Sequence, residues 1–489
     1  MNTPLARATG PAEKPAVSAT ENAVRILHTS DWQLGMKFAA LGEDGQARFR
    51  EARLAAIERV FTVAKDRHCD AIVVAGDVFD DNLLDRQVYR RAMDVLAGAP
   101  CPVYLLPGNH DPLDAASIYG KAEFQALAAR ETAPVIVLDD SQPREIPGRH
   151  DALAPAFVVG APLKSKRASE DLVNAVAEEL RSGAGAHHTS GDPGEAERRS
   201  EADGASRAND LSRGDSATAA EWPSKGEESI GVESLQGKNW DARINVLVGH
   251  GAVEGFGRAY DPSLINVAVA AEACRERVMD YVALGDTHSA IQLHEDSTVW
   301  YSGAPEVTAF LEPDGGGESN SGKVLIVDIA VDATRPREQA RVSVEEAEVG
   351  EWRFLALAAD LTSREDVEDF LAHVESLPRK RQTAVKYALS GALSLGDNAY
   401  LEDRLEQLKD GFAALYPRER LMNLKTLIDV EQLGEESFGS GFVGQAARAL
   451  AARSESDGVA NDALKLLFRI HSMNTHGASS PISNAKQGV

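Results

Sequence analysis

The sequence predicts a layered α/β fold, and three observations carry that prediction. Five short apolar runs have the composition of buried strands, amphipathic segments at helical spacing lie between several of them, and each run ends abruptly in a polar cluster. The runs are Val24–Leu27, Ala71–Ala75, Val103–Leu106, Ile244–Val248 and Tyr281–Leu284. They are rich in β-branched or aromatic residues without clean alternation, the pattern of strands covered on both faces. Phe49, Leu54, Ile57, Val60, Phe61 and Ala64 recur at helical spacing between the first two runs, and Val88, Ala92, Val95 and Leu96 do so before the third. Strands alternating with such helices build an α/β architecture of stacked layers.

A chain of 489 residues exceeds one compact core, so a main domain with appendages is expected. The leader 1–23 reads as flexible. The main domain is expected over 24–349, interrupted at 183–240 by a stretch of Gly, Ser, Ala, Glu and Arg with hardly an aliphatic residue. Such a stretch buries too little apolar area to offset its ordering entropy, and it is expected to be a disordered insertion. Downstream, Trp300–Gly303, Lys323–Val331 and Ala340–Val349 have strand character and are expected to supply a second sheet. A smaller α/β unit is expected over 350–430, with helices at Arg364–Val374 and Tyr400–Gly411 and a strand at Thr383–Leu389. Two terminal helices, Gly441–Arg453 and Val459–Ile470, fall in the remaining region 431–489, ahead of a polar tail.

The net charge of −25 excludes affinity for nucleic acid driven by overall charge, so any polyanion must be met locally, with divalent cations offsetting the carboxylates. Cys69, Cys101 and Cys274 are odd in number, widely spaced and form no CxxC pair, which fits a reducing cytoplasm and neither a disulfide framework nor a zinc ribbon. No apolar run approaches the roughly 18 residues that a membrane span needs. The basic runs at Lys164–Arg167 and Pro378–Arg381 read as solvated surface.

The chemistry is concentrated where the five runs end, in HTSDWQ, GDVFDD, PGNHDP, GHG and GDTHS. In open α/β sheets, ligands gather beyond the carboxyl ends of the strands, so residues distant in sequence converge there. Asp31, Asp77, Asn109, His250 and His288 offer oxygen and imidazole ligands, the set that suits manganese, iron, zinc or magnesium. A lone Gly-Asp after a strand is usually a turn, but five such clusters in order are specific as a set. Gly35, Gly76, Gly108, Gly249 and Gly285 beside them let the backbone turn tightly. His28 and His294 read as strand residues, and Trp32 and Phe79 as packing residues.

The order SDWQ, GDVFD, GNHD, GHG, GDTH resembles the calcineurin-like metallophosphoesterase superfamily, whose pattern is D-x-H, G-D-x-x-D, G-N-H-D/E, G-H and G-H-x-H. The opening ILHTSDWQLG, the extended LPGNHDP, the WYSGAPE stretch and the added C-terminal unit are similar to the SbcD-type DNA-repair exonuclease family. The resemblance implies a four-layer αββα sandwich with a C-terminal capping domain that helps select DNA. It implies one metal held by Asp31, Gln33, Asp77 and His288 and a second held by Asp77, Asn109, His250 and Asp286. It places His110 near the scissile phosphate, with Asp111 fixing its imidazole. DNA as substrate, a partner SbcC-like coiled-coil ATPase and a homodimer are implied in the same way. Gln33 and Asp286 depart from the family, which has histidine at both positions. Both changes exchange an imidazole nitrogen for an oxygen ligand and should move the site towards manganese, or magnesium, and away from zinc. A nucleotide or other small phosphodiester as substrate, and an inactive DNA- or metal-binding scaffold, stay open as alternatives.

Overall fold

Strand β1 (Glu21–Thr29) shows how the main unit is organised. Val24 and Ile26 join one apolar cluster and Leu27 another, as expected when successive side chains alternate across a strand covered on both faces. The same division holds in β2 (Ala71–Val74), where Ala71 and Val73 face one way and Ile72 and Val74 the other. The structure, a computed structural model, describes residues 20–149, 152–186, 240–255, 261–312, 316–427, 441–454 and 457–476. It divides into two compact units, of which the first comprises Met1–Phe38, Gln46–Thr308 and Glu318–Trp352.

The first unit holds two six-stranded sheets. In one, β1 and β2 continue in parallel to β3 (Val103–Leu105) and β4 (Val135–Val137), and on the other side of β1 lie β11 (Lys323–Asp332) and β12 (Arg341–Glu348), both antiparallel additions. In the other, β6 (Ala156–Gly160), β7 (Ile244–His250), β8 (Tyr281–Gly285) and β10 (Val299–Tyr301) run in parallel, with the short β5 (Arg144–Glu145) and β9 (Ile291–Gln292) antiparallel at the edges. The two sheets bury one cluster between them, with Val24, Ile26, Val73 and Tyr104 from the first against Val158, Val246, Val248 and Tyr281 from the second. Helices α1 (Gly42–Asp66), α2 (Arg86–Leu96) and α3 (Ala122–Ala128) cover the outer face of the first sheet through Ile57, Val60, Tyr89, Leu96 and Phe124. Helices α4 (Leu172–Ala186) and α5 (Val267–Arg275) cover the second through Val173, Leu180, Ala270 and Cys274. The four layers are therefore αββα.

Two expectations need correction. The downstream strands do not form the second sheet together, since only β10 joins it and β11 and β12 widen the first. The reason is a long antiparallel register from Glu21↔Asp332 to His28↔Leu325, a pairing that local pattern cannot specify. The five apolar runs are likewise shared between the sheets. The stretch expected to be inserted begins later than Gly183, because α4 continues to Ala186; the rest of it, up to 239, lies outside the described residues, as does most of the leader.

The second unit comprises Ala39–Gly45, Ala309–Gly317 and Arg353–Val489. Its parallel sheet is centred on β14 (Thr383–Ser394), flanked on one side by β13 (Arg353–Leu361) and on the other by β15 (Ala414–Pro417) and β16 (Asn423–Leu427). Helix α6 (Arg364–Ser376) starts with a capping box between Ser363 and Asp366, and α7 (Leu395–Lys409) starts earlier than its apolar pattern suggests because Ser394 accepts a hydrogen bond from the Asp397 amide. Two further helices, α8 (Phe442–Ser454) and α9 (Gly458–His476), close the described chain. All three cysteines are free thiols, and no described helix is long and apolar enough to cross a membrane.

Candidate metal centre

Parallel pairing brings the carboxyl ends of β1, β2 and β3 to one edge of the first sheet and those of β7 and β8 to one edge of the second. Beyond β1 and β2 the chains stay laced, with Asp31 N donating to Gly76 O at 3.0 Å and Gln33 N to Asp77 O at 2.8 Å. The second sheet is tied in by His250, whose Nδ1–H donates to Ala75 O at 2.8 Å. Close approach demands glycine here. A Cβ on Gly76, at φ +90°, would lie 2.1 Å from His250 Nδ1, and one on Gly285 would lie 1.9 Å from Ala75 O. At Gly285 the need is for space, since its backbone is not left-handed.

Asp31 (φ 53°), Gln33 (φ 42°), Asp77 (φ 53°) and Asp286 (φ 102°) all occupy the left-handed half of backbone space without being glycine. Each such residue stores about 1–3 kcal/mol, and a cluster of them marks a site whose geometry matters more than its stability.

The seven residues expected to bind metal lie in one connected group. Asp31, Asp77 and His250 are buried and can each offer a ligand atom within 4.8 Å of the others. His288 Nε2 is 3.7 Å from Asp31 Oδ1 and 3.2 Å from Gln33 Nε2. His250 Nε2 is 3.5 Å from Asp77 Oδ1, 4.0 Å from Asp286 Oδ1 and 2.9 Å from Asn109 Oδ1. Because His250 gives its Nδ1 proton to a carbonyl, neutral His250 presents a lone pair at Nε2 to the Asn109 and Asp77 oxygens. Converging acceptors of this kind suit a cation. Without one, and with His250 neutral, a half-turn of the Asn109 amide puts its nitrogen 2.9 Å from His250 Nε2 and 3.1–3.2 Å from both Asp77 oxygens. The donor set therefore fits a hard divalent ion. Gln33 turns its amide nitrogen towards His288, so ligation by its oxygen needs the same half-turn.

Burial raises Asp31 above the usual carboxylate range in spite of His288 and His250 nearby. Burial also opposes charge on Asp77 and His250, but their mutual attraction prevails, holding Asp77 below its ordinary value and lifting His250 well above its own. A cation must displace the proton retained by His250, whereas Asp77 is already ionised. Divalent-cation affinity is thus expected to weaken as pH falls and to be accompanied by proton release at neutral pH, measurable by calorimetry in buffers of different ionisation enthalpy. Pairs of buffers giving identical heats would contradict this.

His110 is the exposed member of the group, with 40% of its side chain accessible. Its backbone N–H donates to Asp77 Oδ1 at 2.9 Å, its Nδ1 lies 3.0 Å from Asp80 O, and its Nε2 is 4.0 Å from Asp77 Oδ2. The expectation that Asp111 fixes this imidazole is corrected. Asp111 Oδ1 accepts from Gly108 N at 2.8 Å, and Oδ2 accepts from Phe79 N at 2.9 Å and Tyr119 Oη at 2.6 Å. Adjacent side chains in this turn diverge, so Asp111 braces two site loops from beneath. Burial pushes its carboxyl up to about 6 even against these donors. Asp111→Ala would orphan two buried amides and a buried phenol, and is expected to destabilise the fold by about 3 kcal/mol or more in denaturant unfolding. A loss below about 1 kcal/mol would contradict the bracing role.

Sequence reasoning missed Arg53. Fully buried on α1, it donates from Nε and Nη2 to Trp32 O at 3.1 and 2.6 Å, from Nη2 to Asp31 O at 3.4 Å and from Nη1 to Val307 O at 3.3 Å. A signal existed, since Phe49, Arg53 and Ile57 are four apart and a charged residue on that apolar stripe must be satisfied by something. Trp32 and Phe79 are buried in the core as expected. His28 is a buried strand residue that meets Tyr281 Oη at 3.0 Å. His294 falls just past β9 in a turn, 2.7 Å from Asp296 Oδ1. Lys164–Arg167 is exposed as expected.

A four-layer αββα sandwich with such a cluster at the strand ends is the arrangement of the metallophosphoesterases. Residues 24–290 match the calcineurin-like phosphoesterase family, and the chain belongs to it. It is similar to the SbcD subunit of the nuclease SbcCD from Escherichia coli strain K12, with 36% identity over 91 residues, 18% of this chain and 21% of that one. It is also similar to the SbcD subunit of the nuclease SbcCD from Bacillus subtilis strain 168, with 35% identity over 95 residues, 19% of this chain and 23% of that one. The similarity thus spans about a fifth of the length of these relatives.

Proposed function

We propose that the chain is a two-metal phosphodiesterase acting on DNA, as an exo- or endonuclease of DNA repair that works with an SbcC-like coiled-coil ATPase. The observation that carries the reading is the convergence of ligand atoms from five strand ends into one cluster about Asp31, Asp77 and His250. In this reading Asp31, Gln33, Asp77 and His288 hold one cation, and Asp77, Asn109, His250 and Asp286 hold the other. When bound, the two ions supply Lewis acidity for the phosphoryl oxygens and a water made acidic enough to react near neutral pH. Asp77 would be shared by both positions, and Asp31, Gln33 and Asp286, each on left-handed backbone, would supply further oxygen ligands. His110, with its Nδ1 against the Asp80 carbonyl and its Nε2 4.0 Å from Asp77 Oδ2, is partly exposed beside the cluster and is placed to pass a proton to the leaving oxygen. Oxygen outnumbers imidazole in the set, which favours manganese or magnesium over zinc. The second unit would act as a cap that selects a polymer, and the free thiols support a reducing, cytoplasmic setting. The partial similarity to the SbcD subunits of two bacteria supports the nuclease and the partner.

The test is an assay of the purified full chain with manganese against linear duplex DNA, single-stranded DNA and a chromogenic phosphodiester. Cleavage of DNA that is lost on chelation is expected. Turnover of the small substrate with neither DNA cut would overturn the nuclease reading, and turnover of nothing would point to a scaffold.

A further inference from the structure

His288 is held from behind by a pair of residues outside the strand-end clusters. Its Nδ1 is hydrogen-bonded to Thr308 Oγ1, and Thr308 Oγ1 lies 2.5 Å from Glu318 Oε2. The Thr308 backbone N–H also donates to both Glu318 oxygens, at 3.1 and 3.0 Å. Thr308 and Glu318 are buried at 3% and 7% exposure, while 27% of the His288 side chain faces solvent.

Proton counting fixes the direction of this chain of bonds. A carboxylate only accepts, and a hydroxyl has one proton to give. Two contacts from the Thr308 amide are those of an anionic Glu318, so the Thr308 hydroxyl donates to it. The hydroxyl oxygen then accepts from His288, which must carry its proton on Nδ1. That leaves the Nε2 lone pair aimed at the side where Asp31 and Gln33 lie, and Gln33 Nε2, a donor, sits 3.2 Å from it. Glu318 is itself held in place. Its neighbours Ser319 and Asn320 donate their backbone N–H groups to Ser289 Oγ at 2.9 and 3.4 Å, and Ala290 N donates to Asn320 O at 2.7 Å, so the segment is stapled alongside His288. The fully buried Arg53 is within electrostatic reach of Glu318 and helps to balance its charge.

We infer that Thr308 and Glu318 are positioning residues that lock His288 in the Nδ1–H tautomer and so present Nε2 as a ready ligand. The inference rests on the proposed role of His288 at the cation site. Partners of this kind on a ligating histidine are worth about 10–100-fold in metal affinity.

The experiment uses the metal-free full chain labelled with 15N-histidine at about pH 8, above the ordinary histidine pKa, with His288 assigned by its loss in His288→Gln. Long-range proton–nitrogen spectra are expected to show His288 as the Nδ1–H tautomer. Thr308→Val and Glu318→Ala should each shift it towards Nε2–H and weaken manganese binding by about 10–100-fold in calorimetry. Thr308→Ser should restore both. An Nε2–H tautomer in the wild-type chain overturns the inference, as does a folded Thr308→Val with tautomer and affinity unchanged. If Thr308→Val fails to fold, the wild-type spectrum and Thr308→Ser decide. A wild-type chain that binds no manganese overturns the proposed function, while the tautomer, read without metal, still decides the positioning.

Discussion

Asp77→Asn is expected to lower phosphodiester hydrolysis by at least about 10³-fold, the scale of losing one preorganised electrostatic contact, and to weaken both cation positions at once. Asp77 is buried, its Oδ1 3.5 Å from His250 Nε2, and it, Asp31 and His250 can each offer a ligand atom within 4.8 Å of the others. Asparagine is chosen because Asp77 adopts φ 53°, where it is tolerated better than alanine, so a folded protein is expected. Because ionised Asp77 is stabilised by His250, its loss should lower the stability of the metal-free protein at neutral pH, so the two proteins are compared where both are folded. Hydrolysis within about tenfold of wild type, measured at saturating manganese, would contradict a bridging role for this carboxylate.

Arg53→Met is expected to destabilise the main unit by about 3–5 kcal/mol, visible as a lower denaturant midpoint, and to weaken cation binding although Arg53 touches no proposed ligand side chain. The guanidinium satisfies the carbonyls of Asp31, Trp32 and Val307, and methionine would leave them buried and unpaired. Arg53→Lys should fail to rescue, because an ammonium lacks the planar fork that serves three carbonyls. Burial holds the Arg53 pKa below its ordinary value, with Glu306, Glu318, Asp80 and Asp31 opposing that shift through space. A midpoint shift equivalent to less than about 1 kcal/mol would contradict the account.

The strands that carry the site were legible because a strand covered on both faces must be apolar throughout, so a sudden Asp, Asn or His after it marks the strand end. Val24–Leu27 lies within β1 and Ile244–Val248 within β7 for that reason. The sheet to which β11 belongs was not legible, since its partner β1 is some 300 residues away and nothing local specifies that pairing. Strand β6 and helices α4 and α5 were overlooked because short Ala- and Val-rich segments fit helix and strand alike. Within the site, residue types revealed the ligand candidates but not their support. Asp111 follows His110 in sequence, yet its carboxylate braces loops on the far side of the turn. Thr308 and Glu318 meet only because the chain returns after ten residues, a closure that no periodicity announces.

Whether these strand ends hold two cations about Asp77 can be read from anomalous diffraction of crystals grown with manganese. Two peaks roughly 3.5–4 Å apart are expected, one between Asp31, Asp77 and His288 and the other between Asp77, Asn109 and His250. No peak in this cleft, or a single peak remote from Asp77, would contradict a two-cation site.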